Sequence, residues 1–247
     1  MDFKDHFSAA ADTYAAHRPT YPAALAEFLA REAPQTGLAW DAGCGSGQLS
    51  VLLGDFFERV IATDGSAEQL ARAAPHAKVE YHRATAEASG LPDASVDLAV
   101  AAQAAHWFDL PAYYAEVRRV ARKGAVVAQT VYNLVEVDFR VDLAVRRFYA
   151  DKLQRYWPPE RRHVEQDYAT LPFPFEPVTA PKLEMRATWT LRHFLGYMRS
   201  WSGVVAMEEA LGPQPLAALE HELEALWGPE GSARAVRWPL TLRVGRI

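Results

Sequence analysis

The sequence predicts an α/β fold, a doubly wound and mostly parallel sheet with helices on both faces. Three observations predict it. Short β-type runs alternate with helical stretches through the first two thirds of the chain. Two of those runs, 96–102 and 125–130, are apolar at consecutive positions, as in strands buried on both faces. The first run passes directly into a glycine-rich turn, Asp41-Ala42-Gly43-Cys44-Gly45-Ser46-Gly47, that opens a helix.

An alanine-rich helix over about 22–33 is led by Pro22 and ends at Pro34. Strands follow at 38–40, 59–63, 78–82, 96–102 and 125–130, with helices at about 47–57, 66–74 and 109–122 between them. The last of these has Asp109 as its cap and Pro111 in its first turn, and it ends at Gly124 after Arg122 and Lys123. A helix over 138–157 gives way to a loop-rich insertion carrying Pro158, Pro159, Pro172, Pro174, Pro177 and Pro181. Strand character returns at 183–189, helices occupy about 191–201 and 213–227, and 234–245 closes the chain as a strand. Residues 1–247 therefore read as a single domain. Its parts are an N-terminal segment (1–35), a ligand-binding half (36–132), an insertion or cap (133–181) and a C-terminal part that completes the sheet (182–247).

With 247 residues, half of them apolar, and 26 Lys+Arg against 31 Asp+Glu, the chain is not disordered, collagen-like or a disulfide-stapled miniprotein. Its one cysteine, Cys44, cannot form an intramolecular disulfide. The N-terminus lacks the basic and apolar regions of a secretion signal, and no run approaches the roughly 18–20 apolar residues of a membrane span. The expectation is a soluble, cytoplasmic protein with no membrane association and no obligate protein partner. A net charge of −5 is a poor match for nucleic acid. The charge is uneven: residues 140–162 hold seven basic side chains and three acidic ones. That stretch is either a solvated helix face or a local field that draws an anion.

Three glycines on alternate positions strip the turn of side chains, so a ligand can lie against backbone amides. The dinucleotide fingerprint places its third glycine three positions after the second; here Gly47 comes two after Gly45. Asp41, at the strand end, would repel a pyrophosphate and can pair with an ammonium group, which favours a cationic nucleoside over a nicotinamide dinucleotide. Asp64 ends the second strand, followed by Gly65 and Ser66, where an acid can accept from both ribose hydroxyls of an adenosine.

Asp41-x-Gly43-x-Gly45-x-Gly47 with Asp64 resembles the S-adenosylmethionine site of the class I methyltransferases. The resemblance implies a seven-stranded sheet of order 3-2-1-4-5-7-6 with strand 7 antiparallel, S-adenosylmethionine as cofactor and S-adenosylhomocysteine as product. It also implies that Gly43 and Gly45 pass beneath the methionine moiety, with Asp41, Cys44 and Gly47 of the same turn also binding the cofactor. In that comparison Thr85, Ala86 and Glu87 edge the adenine, with Thr85 standing where many relatives have Asp, and Gln103 ends the strand facing the transferable methyl. A narrower resemblance, to the trans-aconitate methyltransferase-like group of small-molecule enzymes, rests on three pieces. They are Ala104-Ala105-His106-Trp107-Phe108-Asp109, Tyr14-x-x-x-Arg18-Pro19-x-Tyr21-Pro22, and Leu195 to Ser202. It implies a lid carrying Tyr14, Arg18 and Tyr21, with Arg18 on the cofactor carboxylate or an anionic acceptor, and acceptor walls at Trp107 and Trp201. His106 is either the catalytic base or a hydrogen-bonding wall of the cleft.

The expectation is a methyltransferase acting on a small organic acid or other oxygen nucleophile. A carboxylate is ionised at pH 7 and needs no base, and much of methyl transfer is alignment. The histidines and the cysteine show no metal-ligand spacing. The rivals are a nucleic-acid methyltransferase, which the fourth strand's Gln-Ala-Ala-His-Trp ending disfavours, a cofactor-binding protein without transferase activity, and a nicotinamide enzyme.

Overall fold

The computed structural model describes residues 19–247. Its centre is an eight-stranded sheet of order β3-β2-β1-β4-β5-β8-β6, with β7 also paired to β8. The parallel strands are β1 (Leu38–Ala42), β2 (Arg59–Asp64), β3 (Val79–Arg83), β4 (Val96–Ala102) and β5 (Ala121–Tyr132). The last strand, β8 (Ala233–Arg246), runs antiparallel to β5. Both β6 (Glu176–Val178) and β7 (Leu183–Thr190) pair with the other edge of β8, β6 against Val244 to Arg246 and β7 against Ala233 to Leu240. The expected order 3-2-1-4-5-7-6 is thus met with β8 in the place of strand 7 and the sixth strand split in two. Pro177 lies in β6 and Pro181 in the break itself; both lack an N–H donor, and proline is tolerated on an edge.

Helices cover both faces: α1 (Ala23–Glu32), α2 (Gln48–Gly54), α3 (Ala67–Leu70), α4 (Leu110–Val120), α5 (Phe139–Phe148), α6 (Arg161–Glu165), α7 (Leu191–Arg199), α8 (Ser202–Leu211) and α9 (Gln214–Trp227). Two apolar layers result. One face of the sheet packs Leu25, Leu29, Leu53, Phe57 and Leu98, continuous with Phe194 and Trp238; the other packs Trp40, Tyr113, Val117 and Tyr168. Among the described residues no helix is long and apolar enough to cross a membrane.

Asp109 caps α4 by accepting from the Ala112 amide, as expected, but the helix stops at Val120 and not at Gly124. The reason is a buried carboxylate on β4. Asp97 accepts from the Leu38 amide at 2.9 Å and from Arg122 Nη1 at 3.1 Å, which pulls residues 121–123 into β5. The extra residues are absorbed where the β4–β5 register shifts between Val96 and Leu98, and Gly124 takes φ +80° there. The helix expected over 138–157 is also shorter. After Phe148 it widens into a π-turn at Tyr149–Leu153 and tightens into a 3-10 turn at Gln154–Tyr156. The insertion contains α6 and β6, and α8 follows α7 as a separate helix.

Tyr132, the last residue of β5, pairs with Leu240, so residues 233–239 of β8 continue past the end of β5 and pair with β7. This overhang carries α7 to the carboxyl ends of β4 and β5, where open α/β sheets bind ligands.

Candidate active site

The glycine turn joins β1 to α2 with Gly43, Gly45 and Gly47 at φ +69°, +56° and +80°. The amides of Gly43 and Cys44 donate to the Thr63 carbonyl at 2.8 and 3.0 Å, which fixes the turn to the end of β2. A Cβ on Gly43 would stand 2.7 Å from the Ala104 Cβ, and one on Gly47 would stand 2.2 Å from the Tyr81 hydroxyl. Packing therefore requires those two glycines. Among the described residues a Cβ on Gly45 would meet only Gln69 Oε1, at 3.9 Å. Burial raises the Cys44 thiol well above its ordinary range, leaving it a poor nucleophile.

Asp64 locks the turn from the end of β2. Its Oδ2 accepts from the Gly45 amide and its Oδ1 from the Ser66 amide, both at 2.8 Å. Ser66 in turn caps α3 by accepting from the Gln69 amide, and the Gly65 carbonyl accepts from Arg83 Nε at 3.1 Å. Asp41 is 1% exposed; its Oδ2 accepts from Ser50 Oγ at 2.6 Å, and its Oδ1 has no hydrogen-bond partner among the described residues. Burial raises its pKa to about 7, the Ser50 hydrogen bond lowers it, and the Asp64 charge adds to the rise.

The folded-state pKa lies above the unfolded one, so Asp41 contributes stability that is present below about pH 4 and lost as pH rises through about 7. Asp41→Asn does not titrate. Its stability relative to wild type should therefore climb between pH 4 and pH 8, by on the order of 3–4 kcal/mol. Denaturant melts of both proteins across that range measure it; a pH-independent difference would show that Asp41 is not the strained acid described.

Thr85 lies exposed after β3, bridged to Ala88, and Ala86 is buried. Glu87 Oε1 accepts from the Asp109 amide at 2.9 Å, so this carboxylate braces the start of α4. Gln103 follows β4 in the left-handed region, φ +56°, a costly conformation for a non-glycine residue. Its side chain clamps the end of β5, accepting from the Tyr132 amide at 2.9 Å and donating to the Tyr132 carbonyl at 3.1 Å.

Beside this end of the sheet is a small cleft of about 80 Å³. Its walls include Gln103, His106, Trp107, Trp157, Arg161 and Trp201. The structure thus brings His106, Trp107 and Trp201 together around one space. Trp201 meets Tyr197 edge-on at 5.5 Å. Tyr21 is not brought to the wall. It is buried behind it, edge-on to Tyr132 with centroids 6.4 Å apart. Tyr14 and Arg18 lie outside the described residues.

His106 Nδ1 is 2.7 Å from the Tyr168 hydroxyl. Burial, then the Arg161 and His163 charges, depress its pKa to about 3, so the imidazole is neutral at pH 7. Arg161 stands 4.6 Å over the Trp157 ring, donates from Nε to the Tyr149 hydroxyl at 3.1 Å and from Nη2 to Asn133 Oδ1 at 3.3 Å. The Tyr149 hydroxyl also bonds Glu165 Oε1 at 2.5 Å. No carboxylate among the described residues pairs directly with Arg161. Of the seven basic residues in 140–162, Arg161 is the one on the cleft wall, whereas Arg147 pairs with Glu222 on the surface. Sequence reasoning did not separate Arg161 from its neighbours, and it missed Tyr168, Trp157, Tyr149 and Asn133 entirely.

A methyltransferase domain model matches residues 40–129. Over 225 residues the chain is 32% identical to a Dictyostelium discoideum protein named as a methyltransferase, covering 90% of this chain and 86% of that one. A Saccharomyces cerevisiae protein named as an S-adenosylmethionine-dependent methyltransferase is 27% identical, over 75% of this chain and 76% of its own length. Among solved structures, a protein from Anaeromyxobacter dehalogenans described as a type II methyltransferase superposes with a TM-score of 0.87 at 51% identity, covering 93% of this chain and 97% of that one.

Proposed function

The chain belongs to the S-adenosylmethionine-dependent methyltransferases, and from that premise we propose that its methyl acceptor is a small organic acid or a similar small oxygen nucleophile. S-adenosylmethionine is the cofactor, and when bound it supplies a methyl group activated on a cationic sulfur. The residues present fit it. The Asp41 oxygen without a described partner suits the cofactor ammonium, Asp41 and Asp64 together suit a cation, and a Cβ on Gly45 would meet only Gln69 among the described residues. In this reading Gly43, Cys44, Gly45 and Gly47 offer backbone to the methionine portion, and Asp64, Gly65 and Ser66 hold the ribose. Thr85, Ala86 and Glu87 edge the adenine, with Glu87 held back by its bond to Asp109. Gln103 borders the methyl, and Tyr14 and Arg18 belong to the lid.

The observation that carries the acceptor class is Arg161. It is a permanent cation on an aromatic wall, its described hydrogen bonds go to a phenol and an amide, and no described carboxylate pairs with it directly. Such a guanidinium recognises a carboxylate through its paired donors. His106 is the second polar group for the acceptor, and Trp107 and Trp201 enclose its apolar part. The overall charge of −5 disfavours a nucleic-acid acceptor, the open cleft disfavours a binding-only protein, and the single cysteine suits the cytoplasm.

The test is a panel of small mono- and dicarboxylic acids, phenols, amines and an oligonucleotide incubated with protein and cofactor, read by mass spectrometry for the methylated product. Methyl esters of one or more acids are the expected result. Turnover of amines or the oligonucleotide alone would overturn the reading.

A further inference from the structure

Arg161 and Glu165 are the first and last residues of α6, four positions apart on one helix face, the spacing at which opposite charges pair. They do not pair here. The Tyr149 hydroxyl stands between them: Arg161 Nε donates to it at 3.1 Å, and it donates to Glu165 Oε1 at 2.5 Å. A guanidinium has no acceptor and a carboxylate has no proton, so the two end groups fix both directions. Burial pushes the phenol up to about 12 against the pull of the Arg161 charge, so at pH 7 it keeps the proton it donates.

Tyr149 opens the π-turn Tyr149–Leu153, where the chain widens after α5, and its buried ring lies 5.9 Å from that of Trp157. The other side of the guanidinium is fixed by Asn133. Nδ2 of that amide donates to the Glu165 carbonyl at 3.2 Å, which turns Oδ1 toward Arg161 Nη2 at 3.3 Å. Trp157 covers one face of the cation at 4.6 Å. Nε and Nη2 are thus engaged, while the Nη1 donors have no acceptor among the described residues. Arg161 and Asn133 line the cleft; Tyr149 and Glu165 stand behind them and do not.

We infer that Tyr149 is a positioning residue that holds the Glu165 carboxylate off Arg161, so that the cation on the cleft wall stays unpaired until an anionic ligand arrives. This rests on the reading of the cleft as an acid-binding acceptor site. The phenol gives each charged group a partner and lets neither neutralise the other. Without the hydroxyl, Arg161 Nε and Glu165 Oε1 each lose that partner, and a donor left unmade in a half-buried place is costly. The two side chains stand one helical turn apart, so they can close on each other and satisfy both losses. The ion pair so formed competes with an incoming carboxylate for the same guanidinium. Arg161 is the group that touches the acid; Tyr149 acts through it.

The test compares full-length wild type with Tyr149→Phe, Glu165→Gln and the double variant. In protein labelled with ¹⁵N-arginine, the Arg161 Nε–Hε resonance is assigned by its loss in Arg161→Lys. Tyr149→Phe should move Hε downfield as a carboxylate replaces the phenol, and the double variant should reverse that shift. The second readout is calorimetric titration with succinate, as probe acid, at saturating S-adenosylhomocysteine. Tyr149→Phe should weaken succinate binding about tenfold, and the double variant should return it to within roughly threefold of wild type. Glu165→Gln alone should bind succinate at least as well as wild type. A double variant as weak as Tyr149→Phe would reduce Tyr149 to a structural part of the wall and overturn the inference. So would an Arg161 resonance unmoved in Tyr149→Phe. Where Tyr149→Phe does not fold, Glu165→Gln decides: succinate binding about tenfold weaker than wild type overturns the inference, and undiminished binding supports it. A resonance that moves as expected in a protein whose wild type binds no succinate supports the arrangement and counts against the acid reading alone.

Discussion

Asp64→Ala should lower the affinity for S-adenosylmethionine at least 100-fold in titration calorimetry. The carboxylate has two tasks. Within the protein it accepts from the Gly45 and Ser66 amides at 2.8 Å each, tying the glycine turn of β1 to the turn after β2. Toward the ligand, the proposed reading has the same carboxylate accept from the ribose hydroxyls. Hydrogen bonds to a charged group contribute about 1.5–3 kcal/mol each, so losing two to ribose hydroxyls amounts to roughly 3–6 kcal/mol. A 100-fold loss corresponds to about 2.7 kcal/mol, so the expectation is met at the low end of that range. Asp64→Asn separates shape from charge. An amide keeps one acceptor oxygen but turns an N–H₂ toward an amide that is itself a donor, so it should bind nearly as poorly as Asp64→Ala. Thermal melts of the cofactor-free variants separate loss of the turn from loss of the ligand contact. Binding within threefold of wild type would reduce Asp64 to a brace of the turn.

The parts of this fold that were legible in the sequence are those whose causes are local. The strands β1, β2, β4 and β5 announce themselves by apolar runs, and the turn after β1 by three glycines within five residues. The parts that were not legible have distant causes. The end of α4 is set by Arg122 reaching Asp97 on the neighbouring strand β4, 25 residues earlier in the chain. The split of the sixth strand is set by which stretch of β8 each half meets. The cleft follows the same rule. His106 stands next to Trp107 in sequence and could be picked out, but what it does depends on Tyr168, 62 residues away. Arg161 looked like one of seven basic residues, and only its bonds to Tyr149 and Asn133 distinguish it. Glu87 shows the converse: motif position suggested adenine, whereas its described bond goes to the cap of α4.

Arg161→Ala should raise KM for the acid acceptor about 100-fold while leaving the cofactor dissociation constant within threefold of wild type. The split follows from position. Arg161 stands on the cleft wall with Trp157 and Asn133, away from the described bonds of Asp41, Asp64 and the glycine turn. A charge-assisted contact to a carboxylate is the kind of interaction whose loss costs about 1.5–3 kcal/mol, or about 10- to 150-fold. Arg161→Lys should recover only part of this. An ammonium cannot reach Tyr149 and Asn133 with one planar fork while presenting donors to a ligand, and it stacks less well on Trp157. Arg161→Met keeps much of the stem over the indole and tests whether packing alone matters. If Arg161→Met behaves as wild type toward acids, the guanidinium is a structural strut between Trp157 and Tyr149, and the acid reading loses its main support. If KM rises equally in Arg161→Met and Arg161→Ala with cofactor affinity intact, the charge itself selects the acceptor.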